Sequence, residues 1–398
     1  MLWIEVQMAV VVGLVIALFM YSLDRVTLWF QQYPILIWGL PLAGVLLYFA
    51  YKYADNQIVR GNAAIFKAVD NPEDDVPILM TPYIFFPTLI THLFGGSAGR
   101  EGTAVQIGGS IASTFSSLYK KVAIDKSMLL IAGIAAGFGS VFGTPMAGAI
   151  FAVEVGGGLR NKWPYLPHAL LAAYTAHYIA LLLGLQHAQY KVPTPNSLPL
   201  LGMYFPQGWG AWLSVIGVGL IMGLVAQGYI RGNEAIKWML VRLKVNQSVM
   251  LPIIGGSLII GATYAIGNFD YNGLGAANYG RNTVSIAQAF LPVSIPSWSW
   301  LIKLILTMVT LSFGFKGGEV TPLFFVGATL GHVLAVYIQL PVALVAGLGL
   351  ISIFGAAAKV PITTISLGWA LFGGAYLPYY ILVAYTSNWA AGKKGLYD

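Results

Sequence analysis

Residues 95–103 read Gly95-Gly96-Ser97-Ala98-Gly99-Arg100-Glu101-Gly102-Thr103, with an apolar run on each side. Charged side chains are expensive inside a bilayer, so an arginine next to a glutamate among glycines marks a functional position. A glycine-rich backbone that leads into a helix presents free N–H groups to an anion. A glutamate at that helix start competes for the same N–H groups. We therefore predict a site at which an internal carboxylate and an external anion exclude each other.

A second stretch, residues 314–327, aligns with the first without gaps. The aligned pairs are Glu101 with Glu319, Thr103 with Thr321, and Gly109 with Gly327. Two halves with glycine-punctuated segments in matching places indicate a transporter site at the repeat interface. Chance similarity between glycine-rich apolar sequences is the alternative interpretation. We expect a single membrane domain over residues 1–398, with a first half at 1–192, a connector at 193–207 and a second half at 208–398.

The composition predicts a polytopic membrane protein in a lipid bilayer, and we expect it to be all-α. Hydrophobic residues make up 58% of the chain and charged residues 9%, whereas a soluble domain carries roughly a quarter charged residues. The chain has no cysteine, which excludes disulfides and thiolate metal sites. We also expect no other metal, no cofactor and no enzymatic activity. The net charge of +7 indicates cytoplasmic loops rather than nucleic-acid binding. Residues Arg231 to Asn246 are the best candidate for such a loop.

Many apolar segments are shorter than a full crossing. Trp3–Leu23 and Pro34–Tyr53 are long enough to span, whereas the segment from Ile58 to Phe66 is too short, and its Gly61-Asn62 pair predicts the start of a brief helix. The run from Met128 to Val155 is divided at Gly143-Thr144-Pro145. Such a chain predicts tilted and broken helices around a protein-lined path.

Two residues invite other interpretations. Gly95 to Gly99 matches the G-x-S-x-G elbow of serine hydrolases, but that motif needs a preceding strand and the flanks of Ser97 are typical of helices. A hydrolase that uses Ser97 is therefore the weakest alternative. For Glu154 we favour a structural role, as a carboxylate near a helix end with a backbone or arginine partner.

Four segments in the right order resemble the CLC anion channels and transporters. Gly99-Arg100-Glu101-Gly102-Thr103 is similar to the G-R-E-G-P motif of that family. The other matches are Gly61-Asn62-Ala63-Ala64-Ile65 to G-S-G-I-P, Gly318-Glu319-Val320-Thr321-Pro322 to G-x-F-x-P, and Gly392 to Tyr397 to the segment that holds the anion-coordinating tyrosine. The resemblance covers essentially the whole chain. It implies a CLC-type inverted-repeat fold and a multi-pass homodimer, with one pathway per subunit, in a bacterial plasma membrane.

Where the chain departs from these motifs, it resembles one branch of the family, the fluoride/proton antiporters. Asn62 replaces a serine, Thr103 a proline and Val320 a phenylalanine, and Val155 stands where chloride/proton exchangers carry a second carboxylate. The resemblance implies export of cytoplasmic fluoride in exchange for inward protons. A chloride/proton exchanger or a passive anion channel on the same fold is the alternative.

The resemblance also implies a set of site residues. Those implied for gating and proton coupling are Glu101, Glu319 and Thr321, and those implied for anion binding are Asn62, Gly99, Arg100, Glu101, Gly102, Val320, Thr321 and Tyr397. Fluoride is small and strongly hydrated, so several short donors must offset the loss of its water. The Asn62 amide offers two donors where serine offers one, and Tyr397 adds an O–H.

Overall fold

The computed structural model describes residues 2–71, 73–119, 125–155, 162–193, 203, 208–245, 247–276, 284–338 and 340–397. Over these ranges the chain is helical, as predicted, and pairs as a β-bridge only between Gly99 and Gly318. The helices are α1 (Leu2–Gln32), α2 (Leu40–Lys52), α3 (Asn56–Arg60), α4 (Asn62–Asp70), α5 (Met80–Leu93), α6 (Glu101–Leu118), α7 (Lys126–Phe142), α8 (Pro145–Glu154), α9 (Leu166–Leu182), α10 (Gly208–Arg242), α11 (Met250–Ile266), α12 (Ile286–Ala289), α13 (Ser299–Ser312), α14 (Val320–Ala335), α15 (Val342–Ala358), α16 (Pro361–Phe372) and α17 (Leu377–Ala390).

Few of these helices have the length of a membrane crossing. In the described ranges, three stretches are long and apolar enough to cross: Leu2–Gln32, Pro34–Lys52 and Gly208–Arg242. The first contains the predicted span Trp3–Leu23, and the second matches the predicted span Pro34–Tyr53 to within one residue. Several other apolar helices have only 10–17 residues, which confirms the prediction of broken helices. Backbone of this kind is tolerated at membrane depth only where protein surrounds it.

The two halves of the chain repeat one order of helices. The series α1, α2, α5, α6, α7, α8, α9 corresponds to α10, α11, α13, α14, α15, α16, α17. In both halves a pair of helices crosses at glycines: a Cβ on Gly108 would lie 2.0 Å from the Gly133 carbonyl oxygen, and one on Gly327 would lie 2.2 Å from that of Gly349. Small residues allow this close approach of membrane helices. The boundaries at residues 193 and 207 stay a prediction, since the connector lies almost wholly outside the described residues.

Local backbone chemistry sets the breaks that the sequence predicted. α7 ends at Phe142, Gly143 follows in the left-handed region at φ 72°, and Pro145 begins α8. Gly61, at φ 56°, separates α3 from the short α4, which begins at Asn62. Glycine adopts positive φ without steric cost, and proline suits the first turn of a helix.

The prediction of a loop from Arg231 to Asn246 is wrong. α10 continues to Arg242, so residues 231–242 are helical, and Asn246 lies outside the described residues. Glutamate, alanine, lysine, methionine, leucine and arginine are strong helix formers, and this segment is rich in them. Its charges indicated an exposed segment, and Arg231 and Lys237 are indeed exposed, but exposed charges alone do not distinguish a loop from a helix.

Glu154 caps the start of α16. Its side chain is buried, and its carboxylate accepts hydrogen bonds from the Ile362 N–H at 2.8 Å, the Thr363 N–H at 2.7 Å and the Thr363 hydroxyl at 2.6 Å. The first N–H groups of a helix have no partner within the helix and favour a negative charge. The contacts support the structural role that we favoured for Glu154.

Replacing Glu154 by glutamine should lower the stability of the protein. Glu154→Gln turns an NH₂ group toward N–H donors, and we expect the free energy of unfolding to fall by about 2 kcal/mol, the value of a hydrogen bond to a charged group. Unfolding of the purified protein in detergent measures this change. Glu73→Gln, at an exposed turn, is the matched control. Equal stability of the two variants would contradict the capping role.

Candidate anion-binding site

The two glycine-rich loops meet as a short antiparallel pair. The Gly99 N–H donates to the Gly318 carbonyl at 2.6 Å, and the Gly318 N–H donates back to the Gly99 carbonyl at 2.8 Å. Gly99 and Gly318 lie at nearly equivalent positions of the two repeats, and antiparallel pairing is what a twofold axis in the membrane plane generates. This pair brings the first turns of α6 and α14 together.

The Glu101 side chain crosses from α6 to the first turn of α14. One carboxylate oxygen, Oε2, accepts hydrogen bonds from the Thr321 N–H at 3.0 Å and the Arg100 N–H at 3.1 Å. The other, Oε1, accepts a short hydrogen bond from the Thr321 hydroxyl. Glu101 is 1% exposed. The carboxylate of one repeat therefore occupies the helix-terminal donors of the other, a location that favours anions.

Arg100 is a weaker partner of Glu101 than Thr321 is. Its Nε lies 3.7 Å from Glu101 Oε1, which is too long for a hydrogen bond. That Nε is buried and has no hydrogen-bond partner among the described residues. Arg100 also lines a cavity of about 410 Å³, together with Asp24, His187 and Asp270. A structural Arg100–Glu101 ion pair therefore does not account for the position of the carboxylate.

The glycines of the site provide space. A Cβ on Gly99 would lie 2.9 Å from Glu101 Oε2, and one on Gly102 would lie 3.0 Å from the amide nitrogen of Asn62. The N–H of Gly99 is already bonded to Gly318, so it is not available to an anion. Val320, the first residue of α14, is buried. It directly precedes Thr321, the main donor to Glu101.

Asn62 is the first residue of α4, and its amide faces the first turn of α6. No side-chain hydrogen bond caps α4, and the buried Asn62 Oδ1 has no partner among the described residues. The Asn62 side chain therefore makes no capping hydrogen bond to α4. Its amide lies beside Gly102, close to the loop pair.

Glu319 and Tyr397 lie near this centre. The half-buried Glu319 precedes α14, and its carboxylate is within electrostatic range of Glu101 and of Lys237 on α10. The Tyr397 ring packs against Phe66 and Phe151, with centroid distances of 5.1 and 6.3 Å, and is within electrostatic range of both carboxylates. Close contacts thus bring Asn62, Glu101 and Thr321 together at the loop pair. Glu319 precedes α14 in the chain, and Tyr397 joins this region through Phe66 of α4.

The sequence did not reveal the aromatic surroundings of Tyr397. Phe66 lies one helical turn after Asn62, and this spacing of four residues could have placed it on the same face of α4. Phe151 stacks on Phe138 at 4.2 Å, and no local signal indicates that contact because the two residues lie on different helices.

Thr103, which the internal alignment equates with Thr321, has a different partner. Its hydroxyl pairs with that of Thr88 on α5 at 2.8 Å.

Ser97 does not have the surroundings of a nucleophile. Buried Ser97 pairs with the Thr307 hydroxyl at 2.9 Å, whereas the ring of His92 contacts the carbonyls of Thr88 and Ala98. A nucleophilic serine needs a base within hydrogen-bond reach, so these contacts contradict a hydrolase that uses Ser97.

Comparison with known proteins assigns the family. The sequence model described as voltage gated chloride channel matches residues 42–392. The chain belongs to the voltage-gated chloride channel family. A relative from Pseudomonas syringae pv. tomato, the chloride/fluoride channel protein, is 36% identical over 98% of this chain and 83% of its own. Another, the putative chloride channel protein ClcB-like of Ralstonia nicotianae, is 27% identical over 69% of this chain and 58% of its own.

Solved structures of this chloride-channel family share the fold. A CLC-type fluoride/proton antiporter superposes with a TM-score of 0.88 at 32% identity, over 99% of this chain and 96% of the other. A slow cyanobacterial Cl⁻/H⁺ antiporter gives a TM-score of 0.79 at 18% identity, over 99% and 95% of the two chains. These comparisons confirm the predicted CLC-type fold with its inverted repeat.

A methyl group on Gly99 should displace the Glu101 carboxylate. In Gly99→Ala the new Cβ would also lie 3.0 Å from the Gly318 carbonyl oxygen, so we expect a loss of about 1–3 kcal/mol in the free energy of unfolding, typical of overpacking. A structure of the variant should show Glu101 displaced from Thr321. Gly217→Ala, at a position with open space, is the control. An unmoved carboxylate at unchanged stability would show that Gly99 is not needed for space.

Proposed function

We propose that the protein is a fluoride/proton antiporter that exports cytoplasmic fluoride in exchange for inward protons. The observation that carries the proposal is that the Glu101 carboxylate accepts hydrogen bonds from the N–H and the hydroxyl of Thr321. The similarity to a CLC-type fluoride/proton antiporter and to a chloride/fluoride channel protein supports it. On this proposal the protein is a transporter and not an enzyme.

Coupling follows from the competition for the Thr321 donors. Ionised Glu101 fills them and excludes fluoride. Once protonated, the carboxyl group is a weaker acceptor and loses its attraction to the start of α14, so it leaves and carries its proton. Fluoride then takes the vacated donors. Because one site holds either the carboxylate or fluoride, the two ions move in exchange.

Selectivity for fluoride comes from the number and strength of donors. Fluoride accepts stronger hydrogen bonds than chloride and needs less room, so short donors around a narrow path favour it. The Thr321 N–H and hydroxyl, the Asn62 amide and the Tyr397 hydroxyl are such donors. Asn62 is also larger than serine, and a site that discriminates must penalise the unwanted ion as well as bind the wanted one.

Glu319 supplies the second carboxylate of the proton route in this proposal. Val155 cannot relay protons, and Glu154 is held by three hydrogen bonds to α16. Glu319 directly precedes α14, whose first turn binds Glu101, and it interacts electrostatically with Glu101 and with the exposed Lys237 near the basic end of α10. We place this end in the cytoplasm, because positive charge accumulates on that side of membrane proteins.

Two related functions remain as alternatives, a chloride/proton exchanger and a passive anion channel. Reconstitution into proteoliposomes separates them, since the antiporter moves fluoride with protons and excludes chloride. A channel would conduct anions without moving protons. We further propose a homodimer with one pathway per subunit, located as a multi-pass protein in a bacterial plasma membrane.

Removing the charge of Glu101 should abolish proton coupling. Glu101→Gln carries no proton that it can release, so fluoride gradients should drive no proton flux through the variant. Proton and fluoride fluxes are recorded on the same proteoliposomes. Glu234→Gln, an exposed residue of α10, should behave as the unmodified protein. Normal proton pumping by Glu101→Gln against a fluoride gradient would disprove the role of Glu101.

Replacing Glu319 should impair exchange without affecting folding. We expect Glu319→Gln to lower fluoride/proton exchange by about tenfold or more, the usual contribution of a positioned proton-transfer group being 10²–10⁴-fold. Size-exclusion profiles report folding and dimerisation, and Glu234→Gln again serves as control. If Glu319→Gln exchanged fluoride and protons at the normal rate, Glu319 would have a structural role only.

Asn62 should set part of the preference for fluoride over chloride. Asn62→Ser removes a donor and opens the path, and a lost hydrogen bond to a charged partner, worth roughly 1.5–3 kcal/mol, corresponds to about one to two decades in preference. Fluoride and chloride fluxes of the reconstituted variant measure the ratio. Asn56→Ser, an exposed asparagine of α3, is the control. An unchanged ratio with lower stability would return Asn62 to a structural role.

A further inference from the structure

Tyr397 lies in a segment without regular secondary structure. Residues 391–397 follow α17 without helical structure, and a segment of this kind is poorly ordered unless contacts to the rest of the fold hold it. Its ring nevertheless packs between Phe66 of α4 and Phe151 of α8. The placement of Tyr397 therefore requires an anchor elsewhere in the fold.

Lys359 supplies the first anchor. It follows α15 in the left-handed region, at φ 61°, and its ammonium donates hydrogen bonds to the carbonyls of Gly392 at 2.5 Å and Asn388 at 3.2 Å. The last carbonyls of a helix have no partner within the helix, and a cation is favoured there. One lysine thus joins the end of α15 to the end of α17.

Ala357 supplies the second anchor, two residues before Lys359. Its carbonyl accepts a hydrogen bond from the Leu396 N–H at 2.8 Å. The end of α15 therefore holds the C-terminal segment at both ends, at Gly392 through the lysine and at Leu396 through the backbone. Tyr397 is the next residue, so its position follows directly from these two contacts.

We propose that Lys359 is a positioning residue that holds Tyr397 at the anion path. It acts through the C-terminal segment and touches no transported ion. The effect on transport rests on the proposed function, whereas the effect on the order of the segment does not. The nearby Lys394–Glu234 ion pair joins two side chains that are 61% and 46% exposed, and exposed pairs of this kind contribute little.

The first test compares three variants of the full-length protein. Lys359→Met keeps the unbranched stem and removes the charge, Lys359→Arg keeps a cation with several donors, and Lys394→Met makes the same change at the exposed pair. In Lys359→Met, hydrogen exchange at the Leu396 amide should become about ten- to a hundredfold faster, the factor that corresponds to one lost hydrogen bond to a charged group. Lys359→Arg should restore protection, and Lys394→Met should leave it unchanged. Unchanged exchange in Lys359→Met would overturn the proposal.

The second test asks whether Lys359 acts through Tyr397. Removal of Leu396 to Asp398 should lower fluoride flux from proteoliposomes, and Lys359→Met should lower it to a similar extent. In combination the two changes should lower flux no further than the truncation alone, because residues that act as one unit are not additive. Additive losses would instead show that Lys359 supports α15 independently of Tyr397 and would overturn the proposal.

Failure of the proposed function would give a different pattern. If the unmodified protein transported no fluoride, the exchange measurements would still show whether Lys359 orders the segment. If Lys359→Met were not recovered in folded form, Lys359→Gln, which retains one neutral donor, would take its place. Partial loss of protection in that variant would support the proposal, and full protection would overturn it.

Discussion

The site depends on one contact between the two repeats. A carboxylate of one repeat accepts hydrogen bonds from the first turn of a helix of the other. Glu101 belongs to α6, and two of its three donors, the N–H and the hydroxyl of Thr321, belong to α14. Neither half therefore contains the site alone. The contact must also be of moderate strength. Hydrogen bonds to a charged group contribute roughly 1.5–3 kcal/mol each, and a carboxylate held much more tightly could not exchange with an external anion. In the mechanism that we propose, protonation of Glu101 weakens the contact when the anion must enter.

The close approach of the two loops constrains the sequence around this contact. Gly99 and Gly318 pair through their backbones, and a Cβ on Gly318 would lie 2.8 Å from the Gly102 nitrogen. Irregular backbone is stable at membrane depth because protein surrounds it and its polar groups find partners. The glycine crossings at Gly108 and Gly327 likewise bring the supporting helices too close for a side chain at either position. Glycine is required at this centre because a side chain would not fit, more than because its backbone is flexible.

Local signals in the sequence predicted the helix starts, whereas contacts between distant segments escaped prediction. Gly61 and Pro145 marked the beginnings of α4 and α8, since glycine and proline act on their own backbone. The partner of Glu101 lies 220 residues away and carries no such signal. The internal alignment even equated Thr103 with Thr321, yet the first bonds Thr88 and the second bonds Glu101. Equivalent positions of a repeat need not share a role once the two halves meet.

The proton count of fluoride binding tests the competition most directly. Calorimetric titration of the purified protein with fluoride, in buffers of different ionisation enthalpy near neutral pH, measures the protons taken up. If fluoride replaces ionised Glu101, binding should take up about one proton per fluoride, and Glu101→Gln should bind fluoride with no uptake. Fluoride binding to the unmodified protein without proton uptake would show that the carboxylate and the anion do not share a site, which would contradict the account.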